Sequence, residues 1–312
     1  MIPVIDVSRA DSARRIAEAC EGWGFFGLRN HGIDRDLLRA AWSDGTSFFD
    51  LASSEKEKVA MPRPGYPYGW SPMSGETLAK SLGRVAPPDR KESFAIGPVH
   101  PPRHSIIDPD EAFAWSPNLW PDQPATMRAT WSERYVAMAD LAARLLSMMA
   151  ESLGLCDDHF APLIDRHTSA MRALNYPGSD DTTTPTHDGQ WGASAHTDYG
   201  TLTILEVDPA QAGLQVLASS GWVDVAPEPD VLIVNLGDAM ERWTNDRWKS
   251  TLHRVEIPRG RRQSIAFFHN ANWDAIIECL PSCMEPGEEP RHAPIAAGPH
   301  LMQKFASTVN TI

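Results

Sequence analysis

Two histidines and one aspartate have the residue types and spacing of a metal site. His196 and Asp198 stand two positions apart within residues 194–205, which we predict to be a strand. Residues i and i+2 of a strand face the same side, so we expect this imidazole and carboxylate to project together. His253, on another predicted strand, can supply a third ligand. Two imidazoles and one carboxylate that leave coordination positions open form the facial set that suits iron(II).

The His196–Asp198 pair is a weak signal when taken alone. With 11 histidines and 41 acidic residues in the chain, the same spacing arises by chance, and a surface pair is the simpler explanation. The residues that follow favour the metal site. The run Asn235-Leu236-Gly237-Asp238 comes some forty residues later, and His253-Arg254-Val255 comes after it on a predicted strand.

A site for a carboxylate is predicted nine residues beyond His253. Residues 263–268 read as a strand, and alternation extended to Arg262 places Arg262, Ser264, Ala266 and Phe268 on one face. A guanidinium grips both oxygens of a carboxylate in a fork, and a serine hydroxyl adds a further hydrogen bond. Arg262 and Ser264 therefore indicate a clamp for an organic acid.

Two more side chains are candidates for contact with a substrate. Arg172 shares a strand face with Tyr176, so we expect it to point into the pocket. A buried arginine needs a partner, which is either a substrate carboxylate or an internal acid such as Glu206. Phe268 is expected nearer the mouth of the pocket, where its ring either contacts the substrate or packs in the core. Tyr199 should face away from the pocket, and His187 is expected in a polar loop.

The surrounding elements are expected to divide into two parts. The front part reads as strand, helix, strand and a second helix over about 34–49, followed by a Pro- and Gly-rich connection over 62–125 with a local strand near 92–96. The clearest helix runs from about Pro124 to Leu153 and carries one apolar stripe. Short strands then predict a sandwich or barrel; they are expected at 171–176, 194–205, 214–217, 222–225, 231–235, 251–257 and 263–268.

Composition limits the class of protein. The chain has 312 residues, 42% of them hydrophobic and 22% charged, which is typical of a globular protein. A net charge of −13 argues against nucleic acid or anionic membranes as partners, because both need basic patches. We find neither a signal peptide nor an apolar run long enough to span a membrane. Four cysteines without a zinc pattern predict reduced thiols and a cytoplasmic location.

These motifs, taken in order, make the chain resemble the isopenicillin-N-synthase-like iron(II)/2-oxoglutarate-dependent dioxygenases almost from end to end. The resemblance rests on several short runs spread along the chain: Ile2-Pro3-Val4-Ile5-Asp6, Gly24-Phe25-Phe26, Asn30-His31-Gly32, Pro88-Asp89-Arg90-Lys91-Glu92-Ser93-Phe94, Asn175-Tyr176-Pro177, His196-Thr197-Asp198, His253-Arg254-Val255 and Arg262-Gln263-Ser264.

The resemblance implies a mainly β fold with flanking helices, built on a double-stranded β-helix, or jelly roll. Residues 1–120 would form an N-terminal module, packed as one unit with the long helix and catalytic jelly roll of residues 121–312. His196, Asp198 and His253 would hold Fe(II). Arg262 and Ser264, helped by Tyr176, would hold 2-oxoglutarate. With O2, the enzyme would oxidise a small metabolite, most simply by hydroxylation, and release succinate and CO2.

Other functions remain open for this pattern. A 2-oxoglutarate-independent oxidase of the isopenicillin N synthase type keeps an Arg-x-Ser pair, so Arg262 and Ser264 do not exclude it. Desaturation and cyclisation use the same iron site. A binding protein with a redox-silent metal such as zinc is disfavoured, because closed structural zinc sites use four ligands. Neither the substrate nor the oligomeric state is predicted.

Overall fold

The computed structural model describes residues 1–63, 65–102, 105–179 and 189–308, with side chains up to Phe305. Two facing sheets form its centre. The larger has eight strands in the order β1-β2-β10-β7-β12-β5-β4-β3, and the smaller has four in the order β6-β11-β8-β9. All pairs in these two sheets are antiparallel except β1 with β2. This arrangement is the predicted jelly roll.

The strands of the larger sheet come from both halves of the chain: β1 Val4–Asp6, β2 Phe25–Arg29, β3 Gly69–Ser71, β4 Glu92–Ile96, β5 Ala170–Tyr176, β7 Leu202–Val207, β10 Leu232–Leu236 and β12 Arg262–His269. Those of the smaller sheet are β6 Ala193–His196, β8 Leu214–Ala218, β9 Gly221–Asp224 and β11 His253–Val255. A separate pair lies near the end of the chain: β13 Ile276–Ile277 and β14 Ile295–Ala296.

Eight helices flank the sheets within the described residues: α1 Ser12–Gly22, α2 Arg35–Phe49, α3 Ser53–Lys56, α4 Pro109–Ala114, α5 Met127–Ser152, α6 Ala161–Ile164, α7 Asp238–Trp243 and α8 Ala297–Thr308. The apolar stripe predicted for the long helix is the buried face of α5, which packs on α1, α2 and β12. Asp34 caps the N-terminus of α2, because its carboxylate accepts a hydrogen bond from Asp36 N at 2.8 Å.

Apolar residues collect in two places. One cluster lies between the helices and the outer face of the larger sheet, with Trp131, Phe94 and Phe267 among its fully buried members. The other lies between the two sheets and includes Leu174 and Val216. Burial on both faces of the larger sheet explains why β10 is apolar at nearly every position. The second cluster surrounds the space into which the predicted site residues project.

The strand predicted over 194–205 is two strands, so that prediction was wrong. β6 ends at His196 and belongs to the smaller sheet, whereas β7 begins at Leu202 and belongs to the larger one. The chain crosses between sheets over residues 197–201, a change that local alternation does not reveal.

The Pro- and Gly-rich connection is more ordered than predicted. Besides the expected strand β4 it forms β3, α4 and a 3₁₀ turn over Leu78–Leu82. Two further 3₁₀ turns lie at Glu57–Val59 and Pro281–Cys283. The division at residue 120 stays a prediction. In the described residues, no helix is both long and apolar enough to cross a bilayer.

Candidate active site

The two predicted imidazole ligands are cross-strand neighbours. His196 is the last residue of β6 and His253 the first of β11, and they stand opposite each other in the antiparallel register. Directly opposed side chains lie close together, and the two ring centroids are 4.3 Å apart. The pairing of two short strands therefore brings together residues that are 57 positions apart (253 − 196).

Both rings are held in one orientation by main-chain carbonyls. His196 Nδ1 lies 2.7 Å from Ser194 O, and His253 Nδ1 lies 3.1 Å from Thr251 O. A carbonyl only accepts hydrogen bonds, so each Nδ1 carries a proton and Nε2 is the ring nitrogen left to bind a metal. Phe25 packs edge-on against His253, with centroids 5.3 Å apart. Both Nε2 atoms are thus ready to bind a cation.

Asp198 lies just beyond the end of β6 rather than on the strand, so alternation is not what places it. Its Oδ1 is 3.9 Å from His196 Nε2 and 3.8 Å from His253 Nε2. Its Oδ2 accepts hydrogen bonds from Thr203 Oγ1 at 2.6 Å and Asn235 Nδ2 at 2.7 Å. These two donors fix the carboxylate and leave Oδ1 facing the imidazoles.

Burial and charge favour the protonation states that bind a metal. Burial, with a smaller contribution from His253, lowers the pKa of His196 to about 4, so its imidazole is neutral near pH 7. Burial alone would raise the pKa of Asp198, but the two histidines and its two hydrogen-bond donors lower it overall. The three ligand atoms lie within 4.8 Å of one another. Two imidazoles, one carboxylate and an open side fit iron(II).

The predicted clamp residues line the same cavity, whose volume is about 200 Å³. Arg262 and Ser264 point into it from β12, and Tyr176 from β5. The Arg262 guanidinium lies over the Tyr176 ring, 5.1 Å from its centroid. Arg262 is 1% exposed, yet its Nε and Nη1 donate to no acceptor among the described residues. A buried cation with unused donors indicates a place for an anion.

Arg172 also lines the cavity, but its internal partner is not the predicted one. Its Nη1 donates to Glu76 Oε1 at 2.6 Å, while Glu206 pairs with Arg134 at the same distance. The register explains the difference, because Arg172 stands opposite Ala266 and Glu206 stands opposite Ile265. Adjacent positions of β12 face opposite sides, so Glu206 lies on the outer face of the sheet.

Glu76 and Lys91 complete an ionic wall beside Arg172. Lys91 Nζ is 3.3 Å from Glu76 Oε2 and 3.1 Å from Asp89 Oδ2. Burial raises the pKa of Glu76, but Arg172 and Lys91 outweigh it and bring the value to about 2, so this carboxyl is ionised. The wall then holds two cations and two anions. Neither Glu76 nor Lys91 was predicted, since both act through contacts with distant parts of the chain.

Phe268 lines the cavity as expected, whereas the orientation predicted for Tyr199 was wrong. Tyr199 lies in the crossing after β6, where strand alternation does not apply, and its side chain also lines the cavity. His187 lies outside the described residues. Sequence reasoning missed Thr203 and Asn235, although an asparagine within the apolar strand β10 was a usable signal. It also missed the apolar wall from α4 and α8, formed by Phe113, Leu301, Met302 and Phe305.

Comparison with known proteins gives matches over most of the chain. A family model described as the 2OG-Fe(II) oxygenase superfamily matches residues 168–271. A second model, described as the N-terminal region of the non-haem dioxygenase in morphine synthesis, matches residues 2–123. The first match contains all six residues predicted to bind metal or 2-oxoglutarate.

Individual relatives match nearly the whole length. A 2-oxoglutarate-Fe(II) type oxidoreductase (hxnY) of Emericella nidulans is 34% identical, over 94% of this chain and 86% of the relative. The proline hydroxylase buaE of Petromyces alliaceus is also 34% identical, over 86% and 84%. A full-length Neurospora crassa protein, crystallised in complex with alpha-KG and thymine, is 29% identical. The structural match covers 98% of this chain and 96% of the Neurospora crassa chain, with a TM-score of 0.84.

Proposed function

The chain belongs to the 2-oxoglutarate/iron(II) oxygenase superfamily. On that premise we propose that it hydroxylates a small organic molecule that is neutral or zwitterionic. The proposal assigns Fe(II) to His196, Asp198 and His253, and 2-oxoglutarate to Arg262, Ser264 and Tyr176. The observation that carries it is the buried Arg262 guanidinium, which has unused donors in the same cavity as the His-Asp-His cluster.

The protein's own residues prepare this site before any reactant arrives. The Ser194 and Thr251 carbonyls orient the imidazoles, and Thr203 and Asn235 fix the carboxylate. When bound, iron(II) and 2-oxoglutarate supply O2 activation, so that one oxygen atom enters the substrate and the other enters succinate, with loss of CO2. Apolar side chains such as Leu174 and Val255 exclude water around the reacting groups.

Arg262 and Ser264 give the co-substrate its direction. A dicarboxylate that reaches the metal with its keto-acid end leaves its far carboxylate for the guanidinium and the serine hydroxyl. Both clamp residues lie on the buried strand β12, where they are 1% and 2% exposed. A charge-assisted pair in a dry site is stronger than one in water. Tyr176 lies beside this pair, against the Arg262 guanidinium.

Arg172, Glu76 and Lys91 line one side of the cavity, with Asp89 buried behind Lys91, and this charged wall restricts the substrate. Two cations and two anions cancel, so a free monoanion gains less there than a neutral or zwitterionic molecule that both donates and accepts hydrogen bonds. Phe268 lines the same cavity and offers an aromatic surface to a substrate. The Neurospora crassa structure with thymine supports a neutral small molecule of this kind. Nucleic acid and membrane are not proposed as partners, given the net charge of −13.

We also propose that the protein is cytoplasmic. Its four cysteines, Cys20, Cys156, Cys279 and Cys283, are all free thiols. Reduced cysteines are typical of that compartment.

Anaerobic titration tests the assignment directly. We expect the protein with Fe(II) and 2-oxoglutarate to develop a visible metal-to-keto-acid charge-transfer band, and His196→Ala, Asp198→Ala and His253→Ala to lose it. Incubation with a panel of neutral, zwitterionic and anionic small molecules should then give succinate that depends on both 2-oxoglutarate and one class of compound. Intact binding in all three variants would refute the metal site. Substrate oxidation without 2-oxoglutarate would instead favour the oxidase alternative.

A further inference from the structure

The segment Pro88–Lys91 packs alongside the chain that leads into β6. Arg90 N donates to Trp191 O at 2.8 Å. Asp89 Oδ1 accepts a hydrogen bond from Ser194 N, also at 2.8 Å. The Asp89 side chain therefore holds the main chain two residues before the predicted iron ligand His196.

Ser194 connects Asp89 to His196 through a single residue. Its N–H donates to the Asp89 carboxylate, and its carbonyl accepts the His196 Nδ1 proton at 2.7 Å. A shift of this residue would rotate the imidazole, because the carbonyl sets the ring orientation. Groups that orient a metal-binding imidazole commonly tune the affinity for the metal.

Asp89 is itself held by charge rather than by neutral groups alone. Its Oδ2 accepts from Leu78 N at 3.0 Å and lies 3.1 Å from Lys91 Nζ, and its side chain is fully buried. Lys91 continues to Glu76 and then to Arg172, whose side chain reaches the cavity. Burying charged side chains costs free energy, and neutral hydrogen-bond partners could hold this segment equally well. The use of charges therefore indicates a role beyond holding the segment in place. The array joins the substrate end of the cavity to the backbone behind His196.

The other predicted imidazole ligand has a different support. His253 Nδ1 donates to Thr251 O, and the Thr251 hydroxyl donates to Trp23 O at 2.7 Å. Neither of these two hydrogen bonds involves a charged group. Any perturbation that travels through Asp89 should therefore affect one imidazole and spare the other.

We propose that Asp89 and Lys91 are positioning residues for His196, and that Glu76 extends this control to the cavity wall. The proposal rests on the proposed function, since it needs His196 as a metal ligand. Substrate that contacts Arg172 or Glu76 would then be sensed at the iron ligand through four contiguous side chains and one main-chain residue. Substrate binding and metal geometry would be coupled without any movement of a helix or strand.

Cobalt(II)-substituted protein provides the test, because each ligated imidazole with a protonated Nδ1 gives one strongly shifted, exchangeable proton signal. We expect two such signals in the wild-type protein. In Asp89→Asn one of them should move and exchange faster with solvent while the other stays. Fe(II) affinity should fall by about tenfold, at the low end for residues behind metal ligands. Glu76→Gln should move the same signal by a smaller amount.

A matched control is Lys56→Met, which breaks another buried lysine–carboxylate pair. Lys56 Nζ lies 2.8 Å from Glu92 Oε2, and both side chains are 9% exposed. The hydrogen bonds of this pair go to Phe49, Trp70 and Asn175 rather than to the residues before His196. This variant should leave both signals and the Fe(II) affinity unchanged. If Asp89→Asn does not fold, Lys91→Met takes its place, since it keeps both N–H donors to Asp89.

The outcomes separate the two proposals. Absence of the two shifted signals in the wild-type protein would overturn the metal assignment itself. Two wild-type signals that both stay in place in Asp89→Asn and Lys91→Met would overturn the positioning role alone. Equal movement of both signals, or the same change in Lys56→Met, would indicate general loosening and also overturn it.

Discussion

Replacing Arg262 with methionine separates an anion-binding arginine from a structural one. The guanidinium is buried, stands over the Tyr176 ring, and has two donors, Nε and Nη1, without an acceptor among the described residues. Two charge-assisted hydrogen bonds to a carboxylate are worth about 3 kcal/mol together, at the low end of the usual range. That loss corresponds to a roughly 150-fold higher Kd for 2-oxoglutarate.

The assay is anaerobic titration of 2-oxoglutarate into the Fe(II)-loaded protein, followed by the charge-transfer band. Arg262→Lys keeps the charge but presents it as a point rather than a fork, so its Kd should lie between those of wild type and Arg262→Met. Succinate, which lacks the keto group, should bind each protein more weakly than 2-oxoglutarate does. Its Kd should nevertheless rise in the same order, from wild type through Arg262→Lys to Arg262→Met. A Kd for Arg262→Met within a factor of two of wild type would refute the clamp.

Stability of the ligand-free protein gives an independent check with a matched control. Arg262 has no carboxylate within ion-pair distance in the described residues, so its removal should leave the apo Tm unchanged or higher. Arg134 is equally buried but pairs with Glu206 at 2.6 Å, so Arg134→Met should lower the apo Tm. A drop for Arg262→Met as large as that for Arg134→Met would show that Arg262 holds the fold.

Three further predictions concern the carboxylate ligand, the substrate wall and pH. Thr203→Val removes a donor to Asp198 Oδ2 and should weaken Fe(II) binding about tenfold in a chelator competition; unchanged affinity would contradict its role. Phe268→Ala should lower the ratio of product to succinate while 2-oxoglutarate affinity stays nearly constant, and an unchanged ratio would count against substrate contact. Burial lowers the pKa of His167 to about 4. The unfolded chain therefore binds more protons between pH 6.5 and 4, and stability falls as pH drops through that window, by about 2 kcal/mol at pH 5. Urea unfolding of His167→Gln should show a flatter dependence; an equal slope would exclude His167 as the source.

The metal cluster was accessible from sequence because its two imidazole ligands stand on strands. His253 and His196 stand at strand ends that pair directly, and alternation along β12 correctly placed Arg262, Ser264 and Phe268 on the cavity side. Asp198 was found through its position in the motif rather than through the geometry assumed for it. The family resemblance added the co-substrate, which residue spacing alone does not specify.

What sequence missed depends on contacts between distant segments. Arg172 meets Glu76 across 96 positions, and no periodic pattern links the two. The change of sheet after His196 also reversed the orientation expected for Tyr199, since a residue in a crossing follows no alternation. The wall from α8 was missed for the same reason, because a short helix near the end of the chain carries no sign of what it covers.

The origin of the cavity walls has a consequence for how such a protein can diversify. The proposed reaction centre lies on β5, β6, β11, β12 and the crossing after β6, whereas much of the remaining lining comes from α4, α8 and residues 76–91. The two helices can vary in sequence, or be randomised in a mutant library, while the oxidation chemistry is retained. Residues 76–91 are less free to vary, because Asp89 and Lys91 reach the main chain behind His196. Directed evolution towards new compounds should therefore begin at positions such as Phe113, Leu301 and Phe305.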